Sequence, residues 1–328
     1  MNICIPGGAS YIGAFFVPQL LADGHKVTVY DTLYFGDGHL PQGDENLRVI
    51  RGDVRDVVAW AKVCEGQDAV IYLASISREL MCQQNEKLAH EVNVACFEPD
   101  VITAKEKGVK RFIYASSVAV YGSSDHEATE DEPLAPTTIY GRGKAACEEI
   151  LWKHQDKEFC CVATRSASVC GYSPRQRLDL TINRMVHDVC RKGVITVEGG
   201  EQVRSHIHIH DLCDFYKRLL VARATQIAGQ AFNVVTMNQS ILESAEMVIR
   251  VVSEPTRRAI NMPFIKIAGR VDDRSYAVDG TKAREMLGFV PGRSIEQAVR
   301  DLKAKFDSDY WQDSLTNPVY QNMAQNAV

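Results

Sequence analysis

Tyr140 and Lys144 are the residues whose types and spacing point most directly to chemistry. They lie in Tyr140-Gly141-Arg142-Gly143-Lys144. The run from Ala145 to Leu151 has good helix formers, apolar residues at helical spacing and no proline. On a helix, residues i and i+4 share a face, so the phenol and the ammonium point the same way, one turn apart. A free tyrosine titrates at about 10 and is a poor base at neutral pH. A neighbouring ammonium favours the phenolate, and the pair then becomes a proton-transfer device. The same spacing alone also describes an exposed Tyr and Lys on a helix, so the rest of the chain has to decide.

The elements ahead of this pair read as a nucleotide-binding frame. Asn2 to Ile5 is a short buried strand, followed by Pro6-Gly7-Gly8-Ala9-Ser10-Tyr11-Ile12-Gly13 and an apolar helix to about Ala22. Strand, glycine-rich turn and helix are the setting in which backbone amides and a helix N-terminus hold a dinucleotide pyrophosphate. Gly7, Ser10, Tyr11, Ile12 and Gly13 are the expected contacts. Ser10 stands where a middle glycine is usual; its N–H and hydroxyl serve if its φ stays in an allowed region. Lys26 to Tyr30 is a second strand ending in Asp31. An acid about 20 residues past the glycines accepts from the adenosine ribose hydroxyls and repels a 2′-phosphate, which favours NAD over NADP. Strand Arg48 to Ile50 leads to Asp53 and Val54 at the adenine side, with Asp56 as a helix N-cap.

Ala69 to Leu73 is a fourth strand, and Leu73, Ala74 and Ser75 flank the nicotinamide half, with Ser77 facing substrate. A long helix is expected from about Glu79 to Lys107, broken near Pro99. Arg111 to Ala115 is the fifth strand and runs into Ser116-Ser117. Strands alternating with helices imply a doubly wound parallel sheet with ligands at the carboxyl ends of its strands. Ser117 sits at such an end, as a group polarising a carbinol beside Tyr140 or as a simple cap.

Composition sets the frame. The chain has 328 residues, 45% hydrophobic and 24% charged, with a net charge of -5. That is a globular composition without the basic footprint of a nucleic-acid binder. No apolar run has the length of a membrane span, and the N-terminus lacks a secretory leader. Ten scattered cysteines without a C-x-x-C suggest reduced, buried thiols in a cytoplasmic protein.

In the second half, Cys160 to Arg165 is a sixth strand. Asn183, early in the next helix, is either a donor to substrate or a helix-surface amide. His206, His208 and His210 would share one face of a strand, but no further ligand accompanies them, so no metal is expected. His208 reads as a structural partner and Asp211 as a helix cap. Lys282 to Gly288 and Ile295 to Phe306 read as helices, and the residues from Asp307 as a loose arm.

These motifs resemble the extended short-chain dehydrogenase/reductases, in particular the NAD-dependent epimerase/dehydratase family acting on nucleotide sugars. Gly7 to Gly13, Asp31, Gly52-Asp53-Val54-Arg55-Asp56, Ser116 to Gly122 and the Tyr140/Lys144 pair carry the likeness. Tyr72 replaces a usual histidine, and Ala95-Cys96 a usual Gly-Thr after Asn93. The resemblance implies a Rossmann-type α/β domain at 1–168 and a smaller α/β substrate domain at 169–328, with parts of 205–235 returning to the first. It implies NAD as cofactor, a nucleotide-diphosphate sugar as substrate and a homodimer through the helices ending near Lys107 and Gln155. It makes Ser117, Tyr140 and Lys144 the catalytic set, and Ser77, Ser117, Asn183, Arg175, Arg177, Arg204 and Arg274 the substrate contacts, with Arg204 and Arg274 as a diphosphate clamp. The family's 4,6-dehydratases carry an Asp-Glu pair directly after the catalytic threonine; Val118 and Ala119 stand there in this chain, which disfavours dehydration. Epimerisation at C4 by transient oxidation is the favoured expectation. Net C4 dehydrogenation or reduction of a hexose or heptose unit stays open, as does a module that binds NAD without chemistry.

Overall fold

Runs of aliphatic and β-branched residues, each followed by a helix, make parallel strands whose two faces are both covered. In the computed structural model, which describes residues 1–254, 263–269 and 275–322, the chain starts with β1 (Asn2–Pro6), α1 (Tyr11–Ala22), β2 (Lys26–Asp31) and β3 (Leu47–Arg51). Then come α2 (Val57–Cys64), β4 (Ala69–Tyr72), α3 (Glu79–Gln84), α4 (Glu86–His90) and α5 (Phe97–Glu106). β5 (Arg111–Ser117), β6 (Glu127–Ala128), α6 (Ile139–His154) and β7 (Cys160–Ser166) follow. The next stretch holds β8 (Ser168–Cys170), α7 (Thr181–Lys192), β9 (Val194–Glu198), β10 (Val203–His208), α8 (Ile209–Val221), α9 (Ala224–Ile227) and β11 (Gln230–Val234). The remainder is β12 (Met237–Ser240), α10 (Ile241–Val252), β13 (Phe264–Ala268), β14 (Ala277–Val278), α11 (Thr281–Leu287) and α12 (Ile295–Asp307).

Seven strands form one parallel sheet in the order β11-β7-β5-β4-β1-β2-β3. The chain builds outward from β1 to β3, then returns to start the other half at β4. The crevice between the carboxyl ends of β1 and β4 is therefore the switch point where such sheets bind ligands. Strand alternation splits the core: Ile3 and Ile5 pack toward α1 and α8, whereas Cys4 packs toward Trp60, Tyr72 and Phe97 on the other face. β11 is the outermost strand of this sheet beside β7, and α8 packs on the sheet through Ile209, Leu212 and Phe215. A separate cluster, with Ile182, Val248, Leu302 and Phe306, unites α7, α10 and α12.

Four expectations need correction. The helix expected from Glu79 to Lys107 is interrupted at Asn85, whose side chain caps α4, and by a π-helical turn at Glu91–Ala95. Pro99 lies in the first turn of α5, where its missing N–H costs no helical bond, so it breaks nothing. The three histidines do not share a strand. His208 ends β10 and caps α8, its Nδ1 accepting from the His210 amide at 3.1 Å, which puts His210 in the helix. Asp211 caps a different segment, accepting from the Gly292 and Arg293 amides at 3.0 Å each. The arm after α12 is docked through residue 322: Trp311 is 2% exposed and Ser314 1%.

Candidate functional site

The turn after β1 is held tightly against β4. Gly7 has φ +78°, and a Cβ there would fall 2.6 Å from the Ala74 nitrogen, so both its conformation and its space exclude a side chain. Ser10 keeps an ordinary φ of -84° and caps α1, its hydroxyl accepting from Gly13 N at 3.4 Å. The amides of Tyr11 and Ile12 open the helix with no protein acceptor among the described residues, and the first turn carries no acid. Two such donors at a helix N-terminus fit a pyrophosphate. Asp31 ends β2 beside this turn and accepts from Ala9 N at 3.0 Å and Leu33 N at 2.9 Å. Burial pushes its carboxyl up, against the pull of those two amides. Asp53 is gripped by Arg55 at 2.7 Å, and that bond holds its carboxyl below the usual range. Val54 packs into the core with Trp60.

Helix α6 brings the chemistry to the end of β5. Thr138 caps it, accepting from Gly141 N at 2.9 Å, and Glu79 reaches across to its first amides. The Ser117 hydroxyl accepts from Ala119 N at 3.2 Å and lies near enough to the Tyr140 phenol to favour its charged form. The expected lowering of Tyr140 by Lys144 is corrected: burial pushes the phenol up to about 12, and the cation opposing it is Arg177. The Lys144 ammonium instead donates to the Ala115 carbonyl at 2.7 Å, 4.7 Å from the Tyr114 ring centroid and 5.5 Å from that of Tyr140. Burial pulls this lysine down to about 8.

The loop after β4 and the loop after β8 meet over Tyr140. Leu73 N donates to the Pro6 carbonyl at 3.0 Å, which ties the β4 end to the glycine turn. Asn93, in the π-helical turn, accepts from Ser75 Oγ at 3.2 Å and Ile76 N at 2.8 Å, and so braces the small-residue loop. Ser77 and Arg177 come together: the guanidinium donates to the serine hydroxyl at 2.9 Å and pairs with Asp179 at 2.6 Å.

Other expected substrate contacts lie elsewhere. Arg175 stacks 3.6 Å from the centroid of Phe35, its charge is felt at Asp31, and it donates to Asn322 Oδ1 at 2.9 Å. That places it on the Asp31 side of the crevice rather than beside Tyr140. Asn183 is neither a surface amide nor a free donor. It is fully buried, accepting from Gly171 N at 2.9 Å and donating to the Arg177 carbonyl at 2.8 Å and Tyr11 OH at 3.3 Å. Tyr11 OH donates to the Gly171 carbonyl at 2.8 Å, so the glycine turn and the substrate loop share one buried brace. Arg204 is buried on β10 with its guanidinium 4.8 Å from the Tyr276 ring centroid. Arg274 lies outside the described residues. Glu79, Glu148 and Tyr114 were missed in the sequence. Glu148 alone left a trace, at a second four-residue step from Tyr140.

The comparisons with known proteins agree with this geometry. The NAD dependent epimerase/dehydratase family matches residues 3–234, well over half of the chain. The chain belongs to that family. A UDP-glucose 4-epimerase of Lactobacillus helveticus is 28% identical over 315 residues, covering 89% of this chain and 92% of its own. A dTDP-glucose 4,6-dehydratase of Streptomyces griseus is 28% identical over 308 residues, covering 91% and 92%. Among solved structures, the dTDP-glucose 4,6-dehydratase DesIV of Streptomyces venezuelae, crystallised with NAD, superimposes with a TM-score of 0.85 at 26% identity over 96% of this chain and all of that one. The family uses NAD in epimerase or dehydratase chemistry on nucleotide sugars.

Proposed function

We propose that this protein is an NAD-dependent nucleotide-sugar epimerase that inverts a sugar hydroxyl, at C4, by transient oxidation. The observation that carries the reading is the convergence of Ser117, Tyr140 and Lys144 at the carboxyl end of β5, one strand away from the crevice lined by Gly7 and Ala74. When bound, NAD supplies the hydride acceptor and a positive charge beside the phenol. Tyr140 removes the hydroxyl proton and later returns it, Ser117 holds the sugar oxygen, and Lys144 keeps a cation behind the ring. Ser77 and Arg177 orient the sugar, and Arg204, with Arg274, grips the diphosphate. Val118 and Ala119, directly after Ser117, offer no second acid–base pair, which supports epimerisation over loss of water despite the dehydratase relatives. The protein acts as a homodimer through α5 and α6.

The test is incubation of purified protein and NAD with a panel of nucleotide sugars, with NADH absorbance followed while products are resolved. A C4 epimer formed without net NADH supports the reading. Stoichiometric NADH means a net dehydrogenase, and a 4-keto-6-deoxy product means a dehydratase. Tyr140→Phe should abolish turnover and leave NAD affinity within about twofold; full activity in that variant sinks the mechanism.

A further inference from the structure

Tyr140, Lys144 and Glu148 follow one another at single turns along α6, and each is tied to one of three consecutive residues at the end of β5. The Ser117 hydroxyl acts on the phenol, the ammonium donates to the Ala115 carbonyl, and Glu148 Oε1 accepts from Ser116 Oγ. The carboxylate is 1% exposed. Its other side is gripped by Arg165 on β7, with Nη2 to Oε2 at 2.7 Å and Nε to Oε1 at 3.1 Å. Arg165 continues to Tyr121 OH at 2.7 Å, and Tyr121 to Asn233 Oδ1 at 2.8 Å. A buried ion pair is weak evidence for stability, because apolar side chains of the same size do as well. What this pair does add is a fixed anion one turn behind the lysine.

We propose that Glu148 is a positioning residue of the catalytic apparatus: held by Ser116 and Arg165, it keeps Lys144 charged and aimed, and through it Tyr140. This rests on the epimerase reading for its catalytic consequence, but not for its effect on the lysine. Four groups surround the ammonium besides the backbone: Tyr114, Tyr140, and the thiols of Cys147 and Cys82. Burial holds both thiols at about 11, so at neutral pH they carry no charge. Glu148 is then the one anion acting on Lys144 among the described groups. Burial already draws the lysine to about 8, so losing that anion would move its titration toward neutrality and lower its charged fraction there. Arg165 is not among the groups that act on the lysine, so its pairing weakens the carboxylate's effect there without reversing it.

Glu148→Gln alone would strand Arg165 in the interior, so the test uses the charge-free pair Glu148→Gln/Arg165→Met alongside Glu148→Asp. The first measurement needs no substrate: the Lys144 Cε resonance in lysine-labelled protein, assigned with Lys144→Met, is followed through a pH titration. The double variant should titrate lower by about half a pH unit or more, and Glu148→Asp should stay within about 0.2 of the native midpoint. An unchanged midpoint in the double variant overturns the proposal. The second measurement is the pH–rate profile on the sugar found active. Its alkaline limb should move to lower pH in the double variant, with kcat falling more than KM rises, and should return with Glu148→Asp. A moved titration with an unmoved limb would overturn the catalytic half. If no nucleotide sugar is turned over by the native protein, the epimerase reading fails while the titration still decides the role of Glu148.

Discussion

Glu79 accepts from the backbone amide of Tyr140 at 3.0 Å and from that of Ile139 at 3.1 Å. A carboxylate at the start of α3 therefore caps the helix that carries the phenol. It complements the positive end of that helix and fixes its entry angle.

Glu79→Ala should lower kcat about tenfold and cost about 1 kcal/mol of stability, with KM changed less than about twofold, because it loosens the position of the phenol rather than a substrate contact. Glu79→Gln keeps one carbonyl acceptor and should recover part of the loss. Steady-state kinetics and thermal melts check both.

Gly7→Ala meets two obstacles at once, a φ of +78° and the Ala74 backbone. It should weaken NAD binding by about tenfold or more, since the turn can admit a Cβ only by parting β1 from β4. Calorimetric titration with NAD measures this, and far-UV circular dichroism should show the fold retained.

Asp100 is fully buried, its Oδ2 accepting from Tyr72 OH at 2.6 Å, and burial pushes its carboxyl up to about 8. In an unfolded chain the group titrates at about 3.9. Between these values the folded protein holds a proton that the unfolded chain has lost, so stability from this group is fully present below the lower value and is lost as pH rises through about 8. Melting temperature should therefore fall from pH 5 to pH 8.5 by more in the native protein than in Asp100→Asn, as thermal scans across about that range would show.

The docked arm ties both lips of the crevice. The Gln321 carbonyl accepts from Arg78 at 2.8 Å, Asn322 from Arg175 at 2.9 Å, and the Tyr320 carbonyl from Leu178 N at 2.7 Å. Deleting the chain from Pro318 onward should weaken NAD binding by about three- to tenfold through loss of the Arg175 position, while changing the melting temperature little. Fluorescence titration with NAD checks the first and calorimetry the second.

Much of the molecule was legible as sequence because its signals are local. The strand–turn–helix at Gly7 to Gly13, the alternation of strands and helices and the Tyr140/Lys144 spacing depend on periodicities that a chain carries within a dozen residues. They determined the sheet, the crevice and the helix that carries Tyr140 and Lys144. What the sequence left open were side-chain partnerships between segments far apart in the chain. Asn183 reads equally as a donor to substrate or a surface amide until Gly171 and Tyr11 close around it. Arg175 and Arg177 are two residues apart, yet one serves the Asp31 side and the other the phenol. The pKa of Tyr140 looked set by its neighbour on the helix, but burial under two loops governs it, and burial is a property of the packed chain. The arm after α12 is polar and looked loose, yet its carbonyls and one amide found donors on both lips of the crevice. Only tertiary structure brings such partners within hydrogen-bonding distance, because no local pattern records which distant residue will stand opposite.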